Sequence, residues 1–426
     1  MLTFPEFLKQ RQPFANQFLA HPSATRTVMV SSHIWWSDHV AYGAYAAGYN
    51  VLLYMPLYLL YTDPAAAAQF DKLWSDALAA IKQHKVDLIL AGNSTAMVPH
   101  SKTGELLHRA AGVPVVHYWW DEIRTKPPFA GTRFTPQEYL AFLRDDRTLN
   151  AVWDVDVLEE LAAFHGITNT FHLPLATTPA FWPQASVPMA QRPLAANFLG
   201  NCHFTANWIE TDADPLSAWA RRVIDTKQRN LNLSMAACMG ENGALPNFQS
   251  RHFTGDAWTD FGRPFEFINA CYMHRTRNVM VQAAADHLKG KLALVGKGWD
   301  KLGLRANADH AGENTGQIYA QSKASLNLFG GCVHGGMPLR PFDIAASRGL
   351  VLSHMSRELP DLLEPGKECL AFSNPDGLRA ALDRILAAPQ QFDAIVHAGH
   401  ARVCAQHTWQ HRMERLLAHA FEYFAK

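Results

Sequence analysis

Residues 330–336 read Gly-Gly-Cys-Val-His-Gly-Gly, four glycines in seven positions, directly after the apolar run ASLNLF. Glycines at such a place let backbone N–H groups come close to a ligand. Arg340, Pro341 and Asp343 follow. Pro341 suits the first turn of a helix and Gly349 its C′ position, so a short helix is expected over residues 341–348. Its positive end would lie at the glycine loop and favour an anion such as a diphosphate. The glycine-loop amides and the Arg340 guanidinium would add donors. Asp343, in the first turn, can accept two hydrogen bonds from a sugar diol. A nucleoside diphosphate presents both groups. The same residues also admit a plain structural reading, a glycine loop followed by a capping aspartate.

Other constellations carry less. Asp154 and Asp156 in WDVDV precede a helical pattern and read as a cap, and Asp212 and Asp214 in ETDADP read as a cap or a turn. His407 and His411 are spaced as zinc ligands can be, but the glutamate of HExxH and a third ligand are missing, so no metal site is expected. The stretch GKGWDKLG fails the GxGxxG spacing, and GNSTA is not a nucleophile elbow. Six cysteines contain no CxxC pair, which points to free thiols.

The chain has 426 residues to position these groups, enough for two or three domains. Basic and acidic residues balance at 38 each, which argues against nucleic acid or an anionic membrane as partner. No apolar run approaches ~18 residues, and the first residues lack a charged flank followed by an apolar stretch. The expectation is a cytoplasmic protein without a membrane span.

The segments TRTVMVSS, NVLLYMP, VDLILAG and VPVVHYWW read as strands, VDLILAG as one buried on both faces. Helical patterns alternate with them: residues near 39–47, AAAAQFDKLWSDALAAIKQHK, GELLHRAA and VLEELAAFHGI. This βαβα rhythm means a parallel sheet with helices on both sides. Five prolines in residues 174–197 mark a linker. A second rhythm starts at AANFLGN and resumes with a helix over residues 276–289, then KLALVG, NTGQIYAQS, ASLNLF and LVLSH. Residues 205–265 read as an insertion, helical early (LSAWARRVID) and loop-like late (GDAWTDFGRP). The expected division is an N-terminal Rossmann-like domain over 1–178, a linker over 179–196 and a C-terminal domain over 197–408. Ligands of such sheets sit outside the C-terminal strand ends, so functional loops are expected at 31–38, 92–95, 119–124, 200–203, 296–299 and 329–340.

The run from IYAQSKASLNLFGG through MPLRPFDIAASRGLVLSHMSRELPDLLEPGKECLAFSNPDGLRAAL resembles the glycosyltransferase group 1 families of GT-B fold. Within them it is similar to the spore maturation protein CgeB-like group. AGHARVCAQHTWQHRMERLL, VWDVDVLEELAAFHGITNTFHLPLATTPAFWP, ANFLGN and LVGKGWD carry the likeness further along the chain. The resemblance implies two Rossmann-like domains facing across a cleft, with a last helix, 409–426, packing back towards the first. It implies a nucleotide-sugar donor held by the C-terminal domain, an acceptor protein, glycan or small molecule on the N-terminal one, and no metal or other cofactor. It places Asp343 at the donor ribose, Arg340 with Gly335 and Gly336 at the diphosphate, and Gly296, Lys297, Gly298 and Trp299 near the base. Two departures stand out. Asp343 replaces the more usual Glu, and the acid that retaining group 1 enzymes carry eight residues earlier is Gly335 here, so retaining stereochemistry is not carried over.

Such a transfer displaces a nucleoside diphosphate from the sugar C1, and fixed donors must meet the charge growing on the leaving phosphate. Lys297 and Arg275 are further candidates for that task. An inverting transfer also needs a general base. His33, just after the first strand, is one candidate; Asp121 and Glu122 in HYWWDEIR are the other. Trp35, Trp36, Trp119 and Trp120 lie in the same two loops, where their faces suit either an acceptor or the core. A non-catalytic nucleotide- or glycan-binding relative and a nucleotide-sugar epimerase are the alternative readings.

Overall fold

The computed structural model describes residues 2–426 except 11–15, 32–33, 55–68, 94, 122, 125–134, 184, 203–214, 244–256 and 331–332. These residues build two sheets. The first contains β1 (Gln17–Leu19), β2 (Thr27–Ser31), β3 (Asn50–Leu53), β4 (Leu88–Gly92), β5 (Val115–Trp119), β6 (Thr148–Val152) and β7 (Thr170–His172). Their spatial order is β1-β3-β2-β4-β5-β6-β7. Only the edge pair β1–β3 is antiparallel among these strands. β2, β4, β5 and β6 are buried along their whole length. For β2, β4 and β5 that burial explains the nearly continuous apolar runs. β6 (TLNAV) escapes the sequence pattern because it hides polar residues. Asn150 meets the need with its own partners, accepting from Trp119 Nε1 at 3.1 Å and donating to the Leu143 carbonyl at 2.8 Å.

The second sheet contains β8 (Ala196–Leu199), β9 (Leu292–Val295), β10 (Ser325–Asn327), β11 (Val351–His354) and β12 (Leu370–Phe372), all parallel, in the order β12-β11-β10-β8-β9. The order reverses between β8 and β10. The connections from these two strands leave towards opposite sides and open a crevice at their C-terminal ends.

Two local expectations need correction. The stretch GDAWTDFGRP, expected as loop-like, instead runs into the helix Ala257–Met273, with Pro264 inside it. Burial of Phe265, Ile268, Cys271 and Tyr272 outweighs the hydrogen bond that the proline breaks. The short helix after the glycine loop runs Arg340–Ala346, and its left-handed residue is Arg348 (φ 58°) rather than Gly349. Gly349 is required for a different reason: a Cβ there would lie 2.8 Å from Ile344 Cγ2.

The chain crosses between the domains after β7 and returns near residue 407. The two crossings are bonded to each other. The Thr177 N–H donates to the His407 carbonyl at 3.1 Å, and the Trp409 N–H donates to the Thr177 carbonyl at 3.0 Å. Arg412, buried, donates to the carbonyls of Pro174 (2.7 Å) and Leu175 (3.1 Å). The last helix, Trp409–Tyr423, starts at a capping box formed by Thr408 and His411 and lies on the N-terminal helix Ile34–Ala46. Gly43 makes this approach possible, since a Cβ would sit 2.7 Å from the Trp409 carbonyl oxygen. No described helix is long and apolar enough to cross a membrane.

Gly43→Val should therefore lever the last helix off the N-terminal domain. Denaturant unfolding should show a loss of about 1–3 kcal/mol, the range for overpacking a tight contact. Limited proteolysis should release the C-terminal helix; unchanged stability and protection would refute the packing role.

Candidate functional site

A cavity of about 400 Å³ opens at the crevice between β8 and β10. That volume suits a small ligand. Gly200 and Asn201 follow β8, Gly296 follows β9, and Gly330 and Val333 follow β10. The N-terminal domain closes the other side with Trp120, Trp153 and Leu175, which follow β5, β6 and β7. The cavity thus lies between the C-terminal strand ends of both sheets.

Two guanidinium groups flank the crevice. A Cβ on Gly200 would be 3.1 Å from Arg340 Nη2, and one on Gly330 would be 3.2 Å from Arg277 Nη2. Both cations lie over the face of Phe198, at 5.2 Å (Arg340) and 5.7 Å (Arg277) from its centroid. Arg340 also donates to the Leu328 carbonyl at 3.2 Å, and Arg277 to the Asn201 carbonyl at 3.0 Å. These contacts fix two planar donors in advance of any ligand, which suits a phosphate. Arg277 sits in a π-helical turn, His274–Asn278, that leads into the helix Val279–Leu288. Such turns re-aim side chains that a regular helix would point elsewhere.

Asp343 borders the same cavity and is buried. Its Oδ1 accepts a 2.7 Å hydrogen bond from the Thr177 hydroxyl at the neck between the domains. Burial pushes its carboxyl up to about 7, against the pull of the Thr177 bond and Arg340. Asp309 and His310, both exposed, stand at the cavity mouth, and Thr315 and Tyr319 line its wall.

The Gly335–Gly336 turn faces elsewhere, contrary to the expectation that its amides serve a diphosphate. Asp154 Oδ2 accepts from the His334 N–H at 2.7 Å, and Asp154 Oδ1 from the Gly335 N–H at 3.1 Å. The same carboxylate caps the helix Val155–His165 through the N–H groups of Asp156 and Val157. The glycines are there because the N-terminal domain fills their side-chain space. A Cβ on Gly335 would lie 2.4 Å from the Asp156 carboxyl, and one on Gly336 would lie 2.9 Å from Asp154 Cα. An acid at position 335 has no room.

Asp156 is itself fully buried and paired with Lys227 Nζ at 2.7 Å and Arg357 Nη1 at 2.9 Å. Glu160, one turn on, meets Arg124 at 2.6 Å and His334 Nδ1 at 2.6 Å. One helix start thus ties together the N-terminal sheet, the helical insertion and the glycine turn.

The other expected site residues divide. Gly296 lines the cavity, and its φ of 139° brings it against the Gly200 carbonyl, where a Cβ would be 2.2 Å away. Gly298 serves the same close packing against the Cys202 carbonyl. Trp299 is buried and holds the Gly200 carbonyl through Nε1 at 2.9 Å, so it braces the loop from behind. The Lys297 side chain is exposed and is not among the residues lining the cavity. Arg275 is turned away to Asp225 at 2.9 Å; the cation at the cavity is Arg277, two residues on. Asp121 accepts from Asn93 Nδ2 at 2.9 Å and lies beside, not in, the cavity wall. Trp119 is in the core, while Trp120 lines the cavity. His33 and Glu122 lie outside the described residues. Among the described residues no cluster of His, Cys, Asp and Glu could hold a metal ion, and His407 is engaged by Arg412 at 2.8 Å.

Sequence reading missed Arg277, Asn201, Trp153 and Asp309. Of these, the double arginine in HRTRN was the available signal; the π-turn decides which arginine reaches the crevice.

Comparison with known proteins bears on the fold. Residues 275–418, about a third of the chain, match the family described as glycosyl transferase-like. The match starts at the π-turn and includes Arg277, Arg340 and Asp343. No curated protein matches the chain. Among solved structures, HepE from Anabaena in complex with UDP aligns over 93% of this chain and 100% of its own, at 10% identity and TM-score 0.51. The same protein with UDP-glucose aligns over 92% and 99%, at 10% identity and TM-score 0.51. A glycosyltransferase from Rickettsia africae covers 94% and 99% at 10% identity and TM-score 0.46. The fold is that of the GT-B glycosyltransferases. The glycosyl transferase-like segment makes up much of the C-terminal domain, and this match supports a transferase.

Two outcomes are expected. Asp156→Ala leaves Lys227 buried without its carboxylate and should cost about 3–5 kcal/mol in denaturant unfolding, as for a broken buried pair; a loss below ~1 kcal/mol would count against the latch. Asp343→Asn keeps an acceptor for Thr177 and removes a titration. In the wild type the folded protein keeps this proton up to about pH 7, whereas the unfolded chain releases it near pH ~4. Its stabilising effect is therefore full below the unfolded value and lost as pH rises through about 7. Melting curves of wild type and Asp343→Asn should diverge over that window, with the variant the more stable at about pH 8. Parallel curves would rule out the raised carboxyl.

Proposed function

We propose that this protein transfers a sugar from a nucleoside-diphosphate donor to an acceptor. The observation that carries the reading is the cavity at the β8–β10 crevice, with Arg277 and Arg340 on one side and Asp343 beside them. The diphosphate would lie between the two guanidinium groups, which meet the charge that grows on it as the C1–oxygen bond breaks. Asp343 would accept from the ribose hydroxyls. Trp120 and Trp153 would present aromatic faces to the sugar or the acceptor across the cavity. The proposed chemistry uses no metal, since the two arginines supply the cationic charge. UDP and UDP-glucose in the HepE complexes make uridine donors the first to test.

Assignment to the CgeB-like group rests on the motifs over residues 318–382, and the acceptor would be a protein, glycan or small molecule. His33, Asp121 and Glu122 remain the candidates for a base, and the reading places the protein in the cytoplasm.

The test is a thermal-shift panel with UDP, GDP, ADP, TDP and CMP on wild type and Arg277→Met. A nucleotide at ~100 times its dissociation constant adds ~2.7 kcal/mol of stability. One nucleotide should stabilise the wild type clearly and the variant far less. No shift with any nucleotide would overturn the donor reading. Incubation of the matching nucleotide sugar then separates the classes. Transfer to an acceptor marks a transferase, an isomeric nucleotide sugar without acceptor marks an epimerase, and binding with no turnover marks a binding protein.

A further inference from the structure

Asp343 is held from outside its own domain. The Thr177 hydroxyl, 2.7 Å from Asp343 Oδ1, also lies 2.7 Å from Trp182 Nε1. An indole N–H can only donate, so it must give its proton to the Thr177 oxygen. The hydroxyl proton is then free to point one way, at Asp343. Thr177 itself is fixed at the neck, with its N–H on the His407 carbonyl and its carbonyl on the Trp409 N–H. All three side chains are buried. The chain of donors therefore runs in one direction, from Trp182 through Thr177 to one oxygen of Asp343.

We propose that Thr177, oriented by Trp182, is a positioning residue for Asp343: it holds Oδ1 as a hydrogen-bond acceptor at the domain neck and leaves Oδ2 to a diol in the cavity. This rests on the donor-site reading for its consequence, though not for its geometry. It also accounts for the short side chain. An aspartate needs a fixed partner to hold its carboxylate in register, and Thr177 reaches it from the neck between the domains. The bond stabilises the ionised carboxylate, the form that accepts from two hydroxyls. The other groups around this carboxyl are Arg340 on its own helix, Tyr319 on the helix Thr315–Gln321, and His39 on the helix Ile34–Ala46, which shares a small cavity with it.

The test uses Thr177→Val, which keeps the shape and removes the hydroxyl, and Thr177→Ser, which restores it. Two readouts are taken on the full chain. The first is the Asp343 carboxyl titration in the unliganded protein, followed by the carboxyl carbon resonance of selectively labelled aspartate and assigned with Asp343→Asn. Its midpoint should move to higher pH in Thr177→Val and return in Thr177→Ser. The second is the affinity for the nucleoside diphosphate of the panel between about pH 6 and 9. Thr177→Val should bind about tenfold more weakly at neutral pH and recover at higher pH, the size expected from losing a hydrogen bond to a charged group. An unmoved midpoint would overturn the proposal even if the variant is less stable. A moved midpoint in a protein that binds no nucleotide would keep the positioning role and sink the donor reading instead.

Discussion

The arrangement of the two domains depends on one carboxylate placed at a boundary. Asp154 caps the helix of its own domain and, with the same two oxygens, takes N–H donors from the glycine turn of the other. A carboxylate can be buried this deeply because backbone dipoles surround it. The constraint works in both directions. The turn must carry Gly335 and Gly336, because the helix start occupies their side-chain space. In return, Trp153, the residue before Asp154, is set against the cavity. Asp156 and Glu160 extend the contact with buried ion pairs to the helical insertion and to Arg357. The helix Pro215–Arg229 therefore has a structural task, since its Lys227 pairs with the acid that the boundary buries.

The cavity is shaped by the opposite use of charge. At the boundary, anions are enclosed by donors and satisfied. At the β8–β10 crevice, two cations are held by ring faces and carbonyls, with open volume beside them. Glycines 200 and 330 leave space next to each guanidinium. Asp343 is the buried acid of this cavity, and its bond to a neck residue links the cavity to the place where the chain changes domains.

Much of this was legible in the sequence. Continuous apolar runs mark β2, β4 and β5, and the switch-point rule names loops that contribute Trp120, Gly200, Gly296, Gly330 and Arg340 to the cavity wall. Asp343 and Arg340 were found because helix-start chemistry restricts where such residues sit. The glycine turn misled, because a loop that admits a phosphate and one that admits a carboxylate of the same protein have the same composition. Asp154 was read correctly as a cap, but a cap shared across two domains leaves no local mark. The sequence points to Arg275 and leaves Arg277 unmarked, because which arginine reaches the crevice is decided by a π-turn, a tertiary outcome. β6 escapes the pattern because it buries Thr148 and Asn150, and Asn150 finds its partners elsewhere in the fold, at Trp119 and Leu143.

The most direct measurement is a crystal structure of the protein with a bound nucleoside diphosphate. The account predicts the diphosphate in the β8–β10 crevice, within hydrogen-bond reach of Arg277 and Arg340, the ribose diol on Asp343, and Asp154 still holding the Gly335 amide. A nucleotide whose phosphates displace Asp154 at the glycine turn, or that lies outside the crevice, would contradict it.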